Sequence, residues 1–368
     1  AVYHQRRLVM PFKFSVTGTD SFTSRGILDE VIASDILDTD TYDQIYAQYR
    51  FNAGEADFNV GLHSFSEDNL MVFSRNSIHL INNTTSLQGA STRLLTNEVG
   101  CVARQSISQV GNQVIFLSDN GVYSTQFFDE YNLRGTETPL SEPINVTIQR
   151  INKAHREKSV GVYFDNRYFL AVPLDTSTKN NAIIIYNFLN KQWESIDQVA
   201  DTDFHISNLL VVGEGDARGI YAVNDIGGVQ KLDERVDGVD RVITQIGGSE
   251  NNINVSGSLT TRQYTLGSLE RKNWKQFEMH IESDTSAVSN FDISVETENP
   301  DANLSLGTLG DFVGSNLAED EDVSIRGRIG NRRGYGIQFT LNNTLGRPKI
   351  RAIEADGSIS FRSTNKAE

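Results

Sequence analysis

Cysteine occurs once in this chain, at Cys101, so no intramolecular disulfide can staple the fold and a reducing compartment is the expected place of assembly. That cysteine lies in the apolar-flanked run EVGCVAR, which reads as a buried small hydrophobe rather than a reactive thiol. Proline is scarce as well, at 6 against 29 glycines, a balance that suits strands closed by tight turns. No apolar run approaches the roughly 18 residues of a membrane span, and no charged-then-apolar leader precedes a small-residue cleavage site. The opening AVYHQRRLVM is already strand-like and has no initiator Met, as in a processed or incomplete N-terminus.

Positive charge is the next deficit: 33 Lys and Arg stand against 48 Asp and Glu, a net charge of −15. Such a surface is poorly made for gripping a phosphate backbone by counterion release. An acidic wall along a channel would instead let a duplex slide past without sticking, while solubility is the plainer reading of the same sign.

Catalytic signatures are lacking too. The six histidines (His4, His63, His79, His155, His205, His280) are scattered, with no pair at zinc-ligand spacing. There is no GxSxG elbow, Walker A loop or HExxH helix, and the Gly213–Gly215 GEG lacks the third glycine of a phosphate-binding turn. The SDNG at 118–121 puts Asp one position early for the Asp-box of propeller glycosidases and reads as a turn. Asp38, Asp40 and Asp43 are weak calcium candidates, because their loop lacks the Gly and distal Glu of an EF-hand. No enzyme activity and no cofactor is expected.

What is present is repetition. Asparagine followed by an apolar run recurs at Asn69 (NLMVFSRNSIHLI), Asn112 (NQVIFLSDNGVYS), Asn166 (NRYFLAVPLD) and Asn208 (NLLVVGEGDARGIYAV). A period of about 40 to 50 residues built from hairpins is the mark of propeller blades, since one small sheet cannot bury its faces alone and must stack on neighbours. Residues 5–12 read as a strand, 24–43 as polar and turn-rich, and 56–65 as a strand before the first hairpin, in which LMVFSRNSIHLI has a period-2 pattern. Asp119, Asn120 and Gly121 mark the turn of the second hairpin, and Trp193 is placed to pin the outer strand of the third. Ile144, Ile148 and Ile151 at helical spacing, behind Ser141 and Pro143, predict one short helix near 142–156. The last blade-like stretch ends near Val242.

The Gly-, Ser- and Asn-rich segment 246–258 reads as a linker. Beyond it, KNWKQFEMHIES, NFDISVETE, DVSIRGRIG, GYGIQFTLNN, KIRAIEA and SISFRS alternate between turns, without a helix pattern. The expected fold is all-β: a β-propeller over 1–245 and a jelly-roll-like antiparallel β-sandwich over 259–368. In the sandwich, Glu319, Asp320, Glu321 and Asp322 immediately precede Arg326, Arg328, Arg332 and Arg333, so one edge changes sign. Arg forks suit subunit contacts, and neighbouring copies pairing these patches head to tail would build a ring, with two solvated loops as the alternative.

The blocks RLLTNEVGCVARQSISQVGNQVIFLSDNGVYS, LSEPINVTIQRIN and YFDNRYFLAVPLDTSTKNNAIIIYNFLNKQWESID resemble the propeller region of tail nozzle (tail tubular B-like) proteins of short-tailed bacteriophages. The C-terminal RRGYGIQFTLNNTLGRPKIRAIEADGSISFRST is similar to the sandwich found with it. The resemblance implies a virion protein, assembled in the bacterial cytoplasm into a ring of six copies beneath the portal and adaptor, near the tail fibres, through which double-stranded DNA passes without sequence-specific binding. Full-length members carry more sequence before the propeller and insertions toward the tip, which leaves a short nozzle, a fragment or a related tail ring open. The alternatives are a receptor- or glycan-binding propeller on the virion surface, which calls for exposed Trp and Tyr clusters where only Trp193 and Trp274 exist, and, last, a propeller glycoside hydrolase.

Overall fold

The chain is all-β: among the described residues the strands form eight small antiparallel sheets, and the chain divides into two compact units, Ala1–Leu232 and Asp233–Glu368. The computed structural model describes residues 1–12, 29–43, 46–51, 57–86, 89–129, 132–135, 138–198, 205–232, 239–243, 250–254, 256–268, 270–283, 288–298, 304–318 and 321–359. Among these, no helix is long and apolar enough to cross a membrane.

The first unit holds four four-stranded meanders and a three-stranded one. The first comprises β1 (Val2–His4), β2 (Arg7–Phe12), β3 (Glu30–Ala33) and β4 (Gln48–Arg50); the second β5 (Asn59–Ser64), β6 (Asn69–Ser74), β7 (Ile78–Asn82) and β8 (Ser91–Thr96). The third runs through β9 (Ser108–Val110), β10 (Gln113–Ser118), β11 (Gly121–Asp129) and β12 (Asn132–Gly135), and the fourth through β13 (Val160–Phe164), β14 (Arg167–Val172), β15 (Ala182–Asn187) and β16 (Gln192–Gln198). The fifth has β17 (Ile206–Val212), β18 (Gly219–Asn224) and β19 (Val229–Lys231).

The Asn-plus-apolar signature has a structural meaning. In β6, β10 and β14 the first residue is half-buried and the next five are all buried. A strand exposes alternate side chains to opposite faces, so an uninterrupted buried run requires cover on both sides. In β6, Leu70 and Val72 pack with Val9, Val31 and Tyr49 of the first sheet, whereas Met71 and Phe73 pack with Val114 and Phe116 of the third. In β10, Ile115 and Leu117 face Tyr168, Leu170 and Val172 of β14. The first four sheets therefore stack face to face in chain order. The alternation expected within LMVFSRNSIHLI is not one of buried against exposed, because both faces of β6 and β7 are covered. The outer strands β8 and β16 are largely exposed, as edge positions allow.

Successive sheets also meet through their first strands, β1 with β5, β9 with β13 and β13 with β17. Polar ties cross the same seams. His4 Nδ1 lies 2.7 Å from Ser64 Oγ, and His63 Nε2 lies 3.0 Å from Gln109 Oε1. Tyr168, fully buried, donates to the Ser106 carbonyl at 2.7 Å, and Asn180 Nδ2 donates to the Ile206 carbonyl at 2.9 Å. Gly161 is required beside Tyr168, since a Cβ there would meet the phenol oxygen. Trp193 lies edge-on to Tyr186 and donates to the Leu140 carbonyl at 3.0 Å, fastening β16 as the sequence suggested. Tight hairpins close β1–β2 and β13–β14, with Gln5–Arg6 and Asp165–Asn166 at left-handed φ of 45° and 63°, and 46° and 58°.

Several expectations need correction. Residues 24–43 are not all turn: Glu30–Ala33 is a fully buried strand, its VIA too short to show a period. Asn208 falls inside the first strand of its sheet and not before the second, so the fourth repeat is out of register with the other three. The single helix near 142–156 is a 3-10 turn (Glu142–Ile144), the five-residue α1 (Asn145–Gln149) and a separate 3-10 turn (Arg156–Lys158). It breaks because Ile151 pairs with Leu174 and the Asn152 N–H donates to the Pro173 carbonyl at 2.8 Å. Ser141 accepts from the Val122 N–H at 3.0 Å and makes no side-chain cap bond.

The first unit ends at Leu232, ahead of the expected 245, and Val239–Ile243 (β20) pairs with Glu250–Asn254 (β21) in the second. The 246–258 segment is thus no continuous linker: it holds β21 and the start of β22 (Gly257–Thr260), where backbone pairing needs no apolar side chains. One sheet of this unit has the order β22–β27 (Gln338–Leu345)–β24 (Asn290–Glu296)–β25 (Leu304–Thr308), the other β26 (Asp322–Gly334)–β23 (Lys272–Glu282)–β28 (Lys349–Ile359). They share one core of Trp274, Phe277, Met279 and Ile281 from β23, Phe291, Ile293 and Val295 from β24, Phe339 and Leu341 from β27, and Ile325 and Ile329 from β26. A short helix was missed here, α2 (Leu309–Val313), whose signal is the capping box of Thr308 with Asp311.

Two outcomes follow for stability. Tyr168→Phe leaves the buried Ser106 carbonyl without its donor and lowers unfolding free energy by about 1–3 kcal/mol, read from denaturant melts. Burial pushes His4 and His63 below their ordinary 6.5, with the field of Asp68 opposing at His4 and the Gln109 hydrogen bond opposing at His63. Folded pKa values lower than unfolded ones mean that stability is full above 6.5 and declines as pH falls below it, because the unfolded chain binds protons the folded one resists. The lowered carboxylates act only below about 4.5, so a melting midpoint that drops between pH ~7.5 and ~5, and drops less in a His4→Asn/His63→Asn variant, is expected.

Candidate functional site

Of the predicted interface residues, Asp322, Arg326 and Arg328 lie exposed on the outward face of the β26–β23–β28 sheet. β23 is its middle strand, so each outward side chain there has one neighbour on either edge strand at the same level. Glu282 stands between Asp322 and Lys349, Glu278 between Arg326 and Glu354, and Gln276 between Arg328 and Asp356. Arg326 Nε donates to Glu278 Oε2 at 2.8 Å and Ser324 Oγ to Oε1 at 2.8 Å. Arg351 Nε donates to Glu282 Oε2 at 2.7 Å and Lys349 Nζ to Oε1 at 3.2 Å. The Arg326 and Ser324 hydrogen bonds hold the Glu278 carboxyl below its usual range, and those of Arg351 and Lys349 do the same for Glu282.

The remaining predicted residues take other places. Glu321 accepts from the Ala318 N–H at 3.0 Å and donates its own N–H to Ser283 Oγ at 3.0 Å, so it serves the entry turn of β26. Arg333 Nε donates to Asn273 Oδ1 at 3.0 Å, and Arg332 is half-buried opposite Trp274. Glu319 and Asp320 lie outside the described residues. Sequence reasoning missed Glu278, Glu282, Lys349, Arg351, Glu354 and Asp356. They reach this face from strands far away in the chain, and no local pattern reports such pairing.

The calcium candidates do not converge. Asp38 accepts from the Asp40 N–H at 2.9 Å and from Thr41 Oγ1 at 2.8 Å, which holds its carboxyl low, and Asp43 Oδ1 accepts from the Tyr46 N–H at 3.2 Å. They cap turns, and among the described residues no group of three His, Cys, Asp or Glu is placed to hold a metal ion.

One cluster has the composition of a catalytic triad. Ser77 donates to Asp57 Oδ2 at 2.6 Å and lies 3.1 Å from His79 Nε2. The serine proton goes to the carboxylate and not to the imidazole, and all three side chains are buried, so neither nucleophile activation nor substrate access is provided. Cys101 is fully buried, and desolvation pushes its thiol up to about 12. Asp119 of the SDNG turn binds Arg156 and, at 3.8 Å, Arg75. The cleft between Leu117, Asp119, Ile148 and Arg156 has a volume of about 20 Å³, room for a single water and far short of the roughly 300 Å³ of the smallest ligand pockets.

No protein-family model and no curated protein sequence matches the chain. Among solved structures it is similar to a hemopexin-fold protein from cow pea (13% identity, 47% of this chain and 93% of that one, TM-score 0.24). It is also similar to a glycoside hydrolase (10% identity, 80% and 83%, TM-score 0.21) and to an exo-inulinase from Aspergillus awamori (8% identity, 90% and 74%, TM-score 0.21). At TM-scores this low, neither the fold nor the activity of those proteins transfers to this chain.

Proposed function

We propose that the chain is a structural protein of a bacteriophage tail, a ring-forming nozzle or tail-tube component below the portal and adaptor that forms part of the DNA ejection channel. The observation that carries this reading is the serial face-to-face stacking of the first four sheets, with the first strands adjacent between the first and second sheets and between the third and fourth. In this reading the sheets fan into a β-propeller, and the sequence blocks resembling nozzle proteins are the ones that build them. A channel component has no bond to break. It must keep its bore under load, and strands buried on both faces give a stiff wall.

The net charge of −15 suits a conduit for DNA, because like charge keeps phosphates from adhering. The surface-adhesin reading called for exposed Trp and Tyr clusters; Trp274 is fully buried and Trp193 is packed on Tyr186, while Tyr3, Tyr46 and Tyr335 are exposed. The partners in this proposal are further copies in a ring of six, the portal and adaptor, the fibres, and passing duplex DNA.

Imaging of intact virions with the chain located in density is the test. A ring on the tail axis below the portal is expected. Density at the outer ends of fibres, or turnover of a glycosidic bond by the purified chain, would overturn the proposal.

A further inference from the structure

The β26–β23–β28 sheet has two long outer edges. β26 has 13 residues and β28 has 11, and among the described residues neither pairs with a further strand on its outer side. Strands average about 5–6 residues, and long unpaired edges are a liability that invites another chain. Both edges carry charge, and the signs run in opposite order. Along β26 the chain passes from acidic Asp322 to basic Arg326 and Arg328; along β28 it passes from basic Lys349 and Arg351 to acidic Glu354 and Asp356.

Because both edges are antiparallel to β23, they run parallel to each other, and β23 fixes their levels. Asp322 is level with Lys349, Arg326 with Glu354, and Arg328 with Asp356. The two edges thus match sign for sign at three of four levels on one face, the fourth, at His280, setting Ser324 level with Ala352. Within a single copy this arrangement leaves like charges side by side. Glu354 stands beside Glu278, and Asp322 beside Glu282, each a pairing that costs stability. Arg328 and Asp356 form no ion pair among the described residues.

We propose that β28 of one copy pairs in parallel with β26 of the next, head to tail, so that the sheet continues from subunit to subunit. A rotation that closes a ring has no rise along its axis, so with the strands near that axis residues at equal levels meet. Arg326 then faces Glu354, Arg328 faces Asp356, and Asp322 faces Lys349, and each like-charged neighbour gains a counter-ion. Two-fold pairing over the full strand is antiparallel and sets Arg328 against Arg328 for β26 and Glu354 against Glu354 for β28, so at full overlap the head-to-tail contact is the one that matches opposite signs at all three levels. This inference rests on the reading of the chain as a scaffold that meets copies of itself, and it names the strands that do so.

The test uses the full chain carrying Arg328→Cys and Asp356→Cys, treated at high concentration with a short bismaleimide. Cys101 is buried, so the new thiols are the ones the reagent reaches. A ladder of covalent multimers is expected from the double variant, no cross-link from either single variant, and dimers when the two single variants are mixed. In the double-cysteine background, Arg326→Glu or Glu354→Arg lowers the multimer yield severalfold, and the two together restore it, since Glu278 keeps one neighbour of each sign. Dimers from one single variant alone, or an absent ladder, overturn the edge pairing. Light scattering on the native chain separates the two readings: closed oligomers without the ladder remove this contact and keep the scaffold, whereas a ladder from a chain imaged off the tail axis keeps the contact and removes the tail function.

Discussion

Burial of the middle strands on both faces is the constraint from which the first unit follows. A lone meander with Leu70, Met71, Val72 and Phe73 in one strand would leave two of the four in water, at a cost of about 1.5–3 kcal/mol for each side chain. Successive sheets must stack to avoid it, and the seams inherit the remaining polar groups. Tyr168, Asn180, His4 and His63 each span a seam with a hydrogen bond, so sliding one sheet over another breaks buried polar contacts as well as apolar packing. The outer strands, freed of that duty, carry polar residues, as β16 does with Gln192, Glu194 and Asp197.

The second unit solves the same problem by packing two of its sheets on one core. Its inward residues are apolar and its outward face is ionic, and the ionic face is ordered and not random: each carboxylate of β23 is bound by one edge strand and crowded by the other. Exposed pairs of this kind contribute little to folding, on the order of 0–1 kcal/mol each. The proposed pairing between copies gives their arrangement a role that folding energy does not. Among the described residues, the cluster with the composition of a triad, Ser77 with His79 and Asp57, is buried, and its serine donates to the carboxylate.

Much of this architecture was legible in the chain. Asn69, Asn112 and Asn166 marked the second strand of three sheets, since an uninterrupted apolar run of about five residues behind a polar one is what a strand covered on both faces requires. The signal failed where tertiary context supplied the burial. Glu30–Ala33 is a core strand with three apolar residues, too short for a pattern, and Glu250–Asn254 is a strand with almost none. The expected helix at 142–156 gave way because Ile151 found a strand partner at Leu174.

By itself the sequence determined the all-β class, the repeat of hairpins, the buried state of Cys101 and the charge change ahead of Arg326, because each depends on residues near one another in the chain. Only the tertiary structure decided which carboxylate each arginine meets. Glu278 and Arg326 are 48 positions apart, Glu282 and Arg351 are 69, and nothing short-range encodes the register that brings them level. The same holds for the two edges of that sheet: their charges are written in the sequence, but their parallel course and equal height exist only once β23 lies between them.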